Sequence, residues 1–133
     1  MVCRGDLRHG VYGPQLSRSF KAFKVWSALQ VFGVDAFRAA NERTLDLAQR
    51  LAQGISTIPG ITLLAPVTLT AVCFEVEGAD HTALLETLAA ENVALLGPVL
   101  VNGSRGIRAC ITNHRTSAAD IDLVVDRLRT ASV

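Results

Sequence analysis

The sequence predicts an α+β domain: a small, mostly antiparallel sheet with helices packed on one face, preceded by a long helical pair. Three observations carry this. Apolar residues recur at helical spacing in four stretches, they alternate or run on in strand fashion in four others, and the strands fall in neighbouring pairs rather than in strict alternation with helices. At 133 residues and 50% apolar composition, the chain has enough material for one core without disulfide or metal staples.

Residues 1–17 hold glycines, a proline and no sustained period, so they read as an N-terminal arm or loop, with the domain proper over 18–133. The stretch "SFKAFKVWSALQVF" from Ser19 to Phe32 places Phe20, Phe23 and Trp26 on one stripe and Val25, Leu29 and Phe32 on another. A helix apolar over that much of its circumference needs partners on two sides. Gly33 suits a C-terminal cap and Asp35 an N-terminal one. The next helix then carries Phe37, Thr44, Leu45, Ala48, Leu51, Ala52 and Ile55 on one side, and Gly54 and Pro59-Gly60 close it.

From there the period becomes extended. "ITLLA" and "TAVCFEV" read as strands separated by Pro66. Asp80 caps a helix bearing Leu84, Leu85 and Leu88. In "VALLGPVLV", Pro98 lacks the N–H a central strand needs, which indicates a sheet edge or a break. Asn102-Gly103 turns the chain into "GIRACIT". Ser117 and Asp120 resemble a capping box ahead of a last helix with Ile121, Val124, Val125 and Leu128 in its stripe.

Thirteen basic and twelve acidic residues leave a net charge of +1, which predicts neither a nucleic-acid footprint nor adhesion to an anionic membrane. Small ligands and protein partners remain. No signal peptide or spanning segment is evident, so a soluble, cytoplasmic protein is expected. Cys3, Cys73 and Cys110 show no zinc-ligand spacing, which fits free thiols in a reducing compartment, the latter two acting as small hydrophobes. No metal site is expected. His9, His81 and His114 share no ligand or triad spacing, Glu75 and Glu77 read as a solvated strand face, and no glycine-rich phosphate loop is present. No catalytic residue is assigned.

Arg108 is the residue that the pattern leaves to be explained. If Ile107, Ala109 and Ile111 face the helices, then Arg108, Cys110 and Thr112 face the opposite way. The arginine there is either solvated or held by a rigid strand to grip a carboxylate through two parallel hydrogen bonds.

Taken together, "LSRSFKAFKVWSALQVFG" (16–33), "LAQRL" (47–51), "TAVCFEVEG" (70–78) and "GIRACITNHRTSAADIDLVVDRL" (106–128) resemble the C-terminal part of the group II pyridoxal-phosphate-dependent amino-acid decarboxylases. That family includes aromatic-amino-acid, histidine, glutamate and diaminobutyrate decarboxylases. The resemblance runs from about residue 5 to about residue 130. It implies the small-domain part of a fold-type-I enzyme whose large domain holds pyridoxal phosphate on a lysine. It also implies that Arg108 binds the substrate's α-carboxylate, and it aligns Arg18 with a family arginine that anchors a helix, meets an interface or reaches the site.

The family's cofactor-lysine motif is absent, as are its ring-pairing aspartate, its stacking histidine and its phosphate loop. Lys21 and Lys24, the two lysines of the chain, lie on the Phe20–Trp26 helix instead. The resemblance therefore implies a portion that completes a decarboxylase's substrate pocket and does not bind the cofactor covalently or catalyse alone. A stand-alone oligomerising or carboxylate-binding regulatory module is the alternative. Both readings predict association, with a large cofactor domain or with a second copy of the chain as a homo-oligomer.

Overall fold

The computed structural model describes residues 20–131; the arm expected over 1–17, together with Cys3, His9 and Arg18, lies outside them. The chain divides into two units, residues 1–37 and 38–133.

In the first unit, the ring centroids of Phe20 and Phe23 are 5.8 Å apart and those of Phe23 and Trp26 6.0 Å apart, so the expected aromatic stripe is a stacked row. All three rings are more than half exposed. Helix α1 runs over Lys21–Ser56 and breaks at Gly33, whose φ of 77° and ψ of 160° no helix contains. Residues with a Cβ seldom adopt that φ, which is why a glycine stands there. Helical backbone resumes at residue 34, so Asp35 lies inside the second segment rather than at its boundary, a correction to the expected position.

The second unit holds the sheet. Strands β1 (Ile61–Leu63), β2 (Ala71–Val76), β3 (Gly97–Val101) and β4 (Ser104–Cys110) pair antiparallel throughout, in the order β1-β2-β4-β3. Helix α2 (His81–Ala90) joins β2 to β3, and α3 (Ala118–Ala131) comes after β4. Val72, Phe74, Val76, Ile107, Ala109 and Ile111 point to one side of the sheet, where they meet Leu47, Ala48, Leu51, Ala52 and Ile55 of α1, Leu84 and Leu88 of α2 and Ile121, Val124, Val125 and Leu128 of α3. Leu47 joins this core although it lies outside the expected stripe, and Phe37 stays 40% exposed.

Local signals account for the ends of these elements. The Asp80 carboxylate accepts from the amides of Thr82 (2.9 Å) and Ala83 (3.4 Å) at the start of α2. Ser117 and Asp120 form the reciprocal box ahead of α3: the Ser117 amide donates to Asp120 Oδ2 at 2.8 Å and the Asp120 amide to Ser117 Oγ at 3.3 Å. Asn102 and Gly103, with φ of 50° and 88°, make the two-residue turn between β3 and β4. Pro98 lies on edge strand β3, where no ladder bond beyond it is needed.

Arg50 on α1 grips Asp122 on α3 with two bonds of 2.7 Å. The hydrogen bonds from Arg50 hold the Asp122 carboxyl below the ordinary carboxylate range, and the amide and hydroxyl of Ser117 do the same for Asp120. A carboxyl depressed in the folded state stabilises the fold above its unfolded pKa, and that contribution is lost as pH falls through the folded value. Asp122→Asn should therefore lower the urea midpoint at neutral pH, modestly because the pair is half exposed. The difference from wild type should vanish well below the ordinary aspartate pKa of about 3.9. A difference that persists unchanged in acid would assign the loss to packing instead.

No helix among the described residues is long and apolar enough to cross a membrane.

Candidate functional site

Because side chains alternate along a strand, burying Ile107, Ala109 and Ile111 turns Arg108 and Cys110 to the face opposite the core, as the pattern predicts. The register sets their neighbours. Arg108 sits opposite Cys73 of β2 on one side and Gly97 of β3 on the other, and Cys110 sits opposite Ala71. Glu75 shares this face, one pair further along β2 from Arg108.

Two glycines shape the floor. Gly97 leaves open space beside Arg108, since a Cβ there would meet nothing within 4 Å. Gly106 is closed over, because a Cβ would stand 2.5 Å from both Leu64 Cδ1 and the Phe74 carbonyl oxygen. Leu64 thus lies across β4 two residues before the arginine. Neither glycine stands out in the sequence. The one available signal is that both fall at period-two positions relative to outward residues.

Among the described residues, the guanidinium of Arg108 is uncommitted. Arg50 is paired with Asp122, Arg127 with Glu91 and Arg129 with Asp126, while Arg43 donates to the carbonyl of His114 at 2.6 Å. Among the described residues, none offers Arg108 a hydrogen bond or an ion pair. Its planar fork is held on a central strand with its donors open, an arrangement suited to a carboxylate or phosphate. A cleft of about 680 Å³ is lined by Glu75, Asp80, His81, Leu100 and Arg105 and does not include Arg108.

The histidines are not brought together. His81 begins α2, with Nε2 3.3 Å from the amide nitrogen and 3.2 Å from the carbonyl oxygen of Val76, whereas exposed His114 comes after β4 at the opposite end of the sheet. No three histidine, cysteine or acidic side chains among the described residues form a metal-ligand group. Lys21 and Lys24 are exposed on the first segment of α1, and residues 38–133 contain no lysine. The sheet unit thus lacks the amine to which pyridoxal phosphate bonds covalently, and its donor set does not fit that group.

Fold and site together define a small α+β domain with an exposed arginine on the face opposite its core and no lysine within residues 38–133. The family model of the pyridoxal-dependent decarboxylase conserved domain matches residues 5–77, more than half of the chain. The chain belongs to the pyridoxal-dependent decarboxylase family, whose cofactor is pyridoxal phosphate. An aromatic-L-amino-acid decarboxylase of Bacillus atrophaeus is 27% identical over 135 residues, which cover 94% of this chain and 28% of that protein.

Among solved structures, the glutamate decarboxylase domain of diaminobutyrate-pyruvate transaminase and L-2,4-diaminobutyrate decarboxylase from Vibrio parahaemolyticus aligns with a TM-score of 0.71 at 25% identity, over 86% of this chain and 26% of that one. A Catharanthus roseus tryptophan decarboxylase in complex with L-tryptophan aligns with a TM-score of 0.77 at 17% identity, over the same shares, and attests the fold. The chain spans about a quarter of the length of the curated relatives it matches.

Proposed function

We propose that residues 18–133 act as the C-terminal small domain of a pyridoxal-phosphate-dependent amino-acid decarboxylase, completing its substrate pocket without catalysing alone. Arg108 is the residue that does so: its guanidinium receives the substrate's α-carboxylate through two parallel N–H···O bonds. The single observation that carries this reading is an arginine fixed at mid-sheet with no partner among the described residues. A strand held in register by β2 and β3 lets the fork orient a carboxylate with little further ordering. Because the face is open, the remaining walls and the cofactor come from another surface, which agrees with the quarter-length span.

The test is a nuclear magnetic resonance titration of the chain with an α-amino acid. Carboxylate-dependent shifts centred on Arg108 and Gly97 are expected, and Arg108→Gln should remove them. Shifts spread evenly over the surface, or unchanged in that variant, would overturn the assignment. Incubation with pyridoxal phosphate, borohydride reduction and peptide mapping should leave no lysine stoichiometrically labelled, whereas a full adduct on Lys21 or Lys24 would give this chain a cofactor site of its own.

The exposure of Phe20 (74%), Phe23 (53%) and Trp26 (58%) favours a second reading, a module that self-associates through this stripe. Sedimentation tests this second reading: a monomer at high micromolar concentration excludes the self-associating module.

A further inference from the structure

Two of the chain's three cysteines stand on the same face as Arg108. Both are free thiols; Cys110 is exposed and Cys73 half-buried. In the β2–β4 register Cys73 is directly opposite Arg108, and Cys110 lies two residues beyond the arginine on its own strand, about 7 Å along β4. An exposed thiol two residues from a guanidinium on the same strand face can be reached by a small molecule whose anionic group that guanidinium holds. We propose that Cys110 is a modification site that captures small disulfides carrying carboxylates, with Arg108 anchoring the carboxylate, and that the adduct closes the carboxylate site. The proposal rests on the reading of Arg108 given above.

The chemistry balances without a further reactant. The Cys110 thiolate attacks one sulfur of the disulfide, a new bond to Sγ forms and the original S–S bond breaks. The second sulfur leaves as a thiolate and takes up the proton that Cys110 released. The disulfide itself is the oxidant, one of its halves departing as a reduced thiol.

Exposure decides which cysteine is attacked, and the register decides whether the adduct persists. Cys73 and Cys110 are diagonal neighbours, with Cα atoms about 7 Å or more apart. An unstrained disulfide needs no more than about 6.8 Å. The adduct on Cys110 therefore persists rather than resolving into an internal bridge, and its carboxylate lies along β4 within reach of Arg108. Glu75, the acidic side chain of β2 on this face, is on the far side of Arg108 from Cys110, so the anion approaches from the end it does not occupy.

The experiment compares the reaction of the chain, in a Cys3→Ser background, with dithiobis(nitrobenzoate), which carries two carboxylates, and with uncharged dithiodipyridine. Peptide mapping should find Cys110 modified first. Arg108→Gln should slow the carboxylate-bearing reagent about fivefold, the scale of an exposed ion pair, and leave the uncharged one unchanged. Labelling of Cys73 first, no slowing, or equal slowing of both reagents would overturn the proposal.

A separate titration of Cys110→Ser with an α-amino acid keeps the two readings apart. If Arg108-centred shifts survive there while the reagent preference is absent, the modification site fails and the carboxylate site stands. If both are absent, the carboxylate site fails with it.

Discussion

Phe74→Ala is expected to cost about 3–5 kcal/mol of stability, the range for emptying a buried phenylalanine site. Phe74 has no exposed surface and is among the largest fully buried side chains of the molecule. It sits on β2 between Val72 and Val76, opposite Leu63 of β1 and Ile107 of β4, so its ring is shared by three strands. The cavity cannot collapse readily, because the surrounding strands are held by their ladders and the layer above by α1 and α3. Small domains have total stabilities of about 5–15 kcal/mol, so this one substitution removes a large fraction of that margin. Leu100→Ala is the control: that side chain is 67% exposed on β3 and should change stability by less than about 0.5 kcal/mol. Urea unfolding of both variants reads the contrast, and equal losses would mean that the core is not centred on β2.

Gly106→Ala is the second large effect, and it acts through crowding rather than a cavity. The added methyl would stand 2.5 Å from Leu64 Cδ1 and 2.5 Å from the Phe74 carbonyl oxygen. The first neighbour is the end of a flexible side chain and can turn aside. The second is backbone, and relieving it requires β2 and β4 to separate where they pair. Overpacking of this kind costs about 1–3 kcal/mol, and the backbone share should dominate. Adding Leu64→Ala should therefore recover only the smaller part of the loss in a double-mutant cycle. Full recovery would show that the side chain alone was the obstacle. Because Gly106 is two residues from Arg108, the same substitution should also displace the amide resonances of residues 106–110.

The features legible in the sequence are those set by contacts within a few residues. The Asp80 cap and the Ser117–Asp120 box are bonds spanning two or three positions, so residue type and spacing suffice to place them. The turn at Asn102-Gly103 is equally local, because both residues accept positive φ. The outward direction of Arg108 comes from period-two alternation, which leaves no choice once one face is buried. The helix boundary near Gly33 is legible only in part. A glycine announces a break, but not that helical backbone resumes at the next residue and places Asp35 inside the second segment.

Composition and periodicity by themselves determined an α+β chain with free thiols, local caps and turns and an arginine on the face opposite the core, since each depends on backbone preference or on which side of an element is apolar. The tertiary structure alone decided the strand order β1-β2-β4-β3, which sets Cys73 and Gly97 on either side of Arg108. It alone also decided that Arg50 and Arg127 find carboxylates on distant elements while Arg108 finds none among the described residues. The β2–β4 neighbours and the partners of Arg50 and Arg127 lie tens of residues apart in the chain, as with the 72 residues between Arg50 and Asp122. Such pairs are chosen when hydrophobic burial assembles whole elements, and no local propensity encodes that choice.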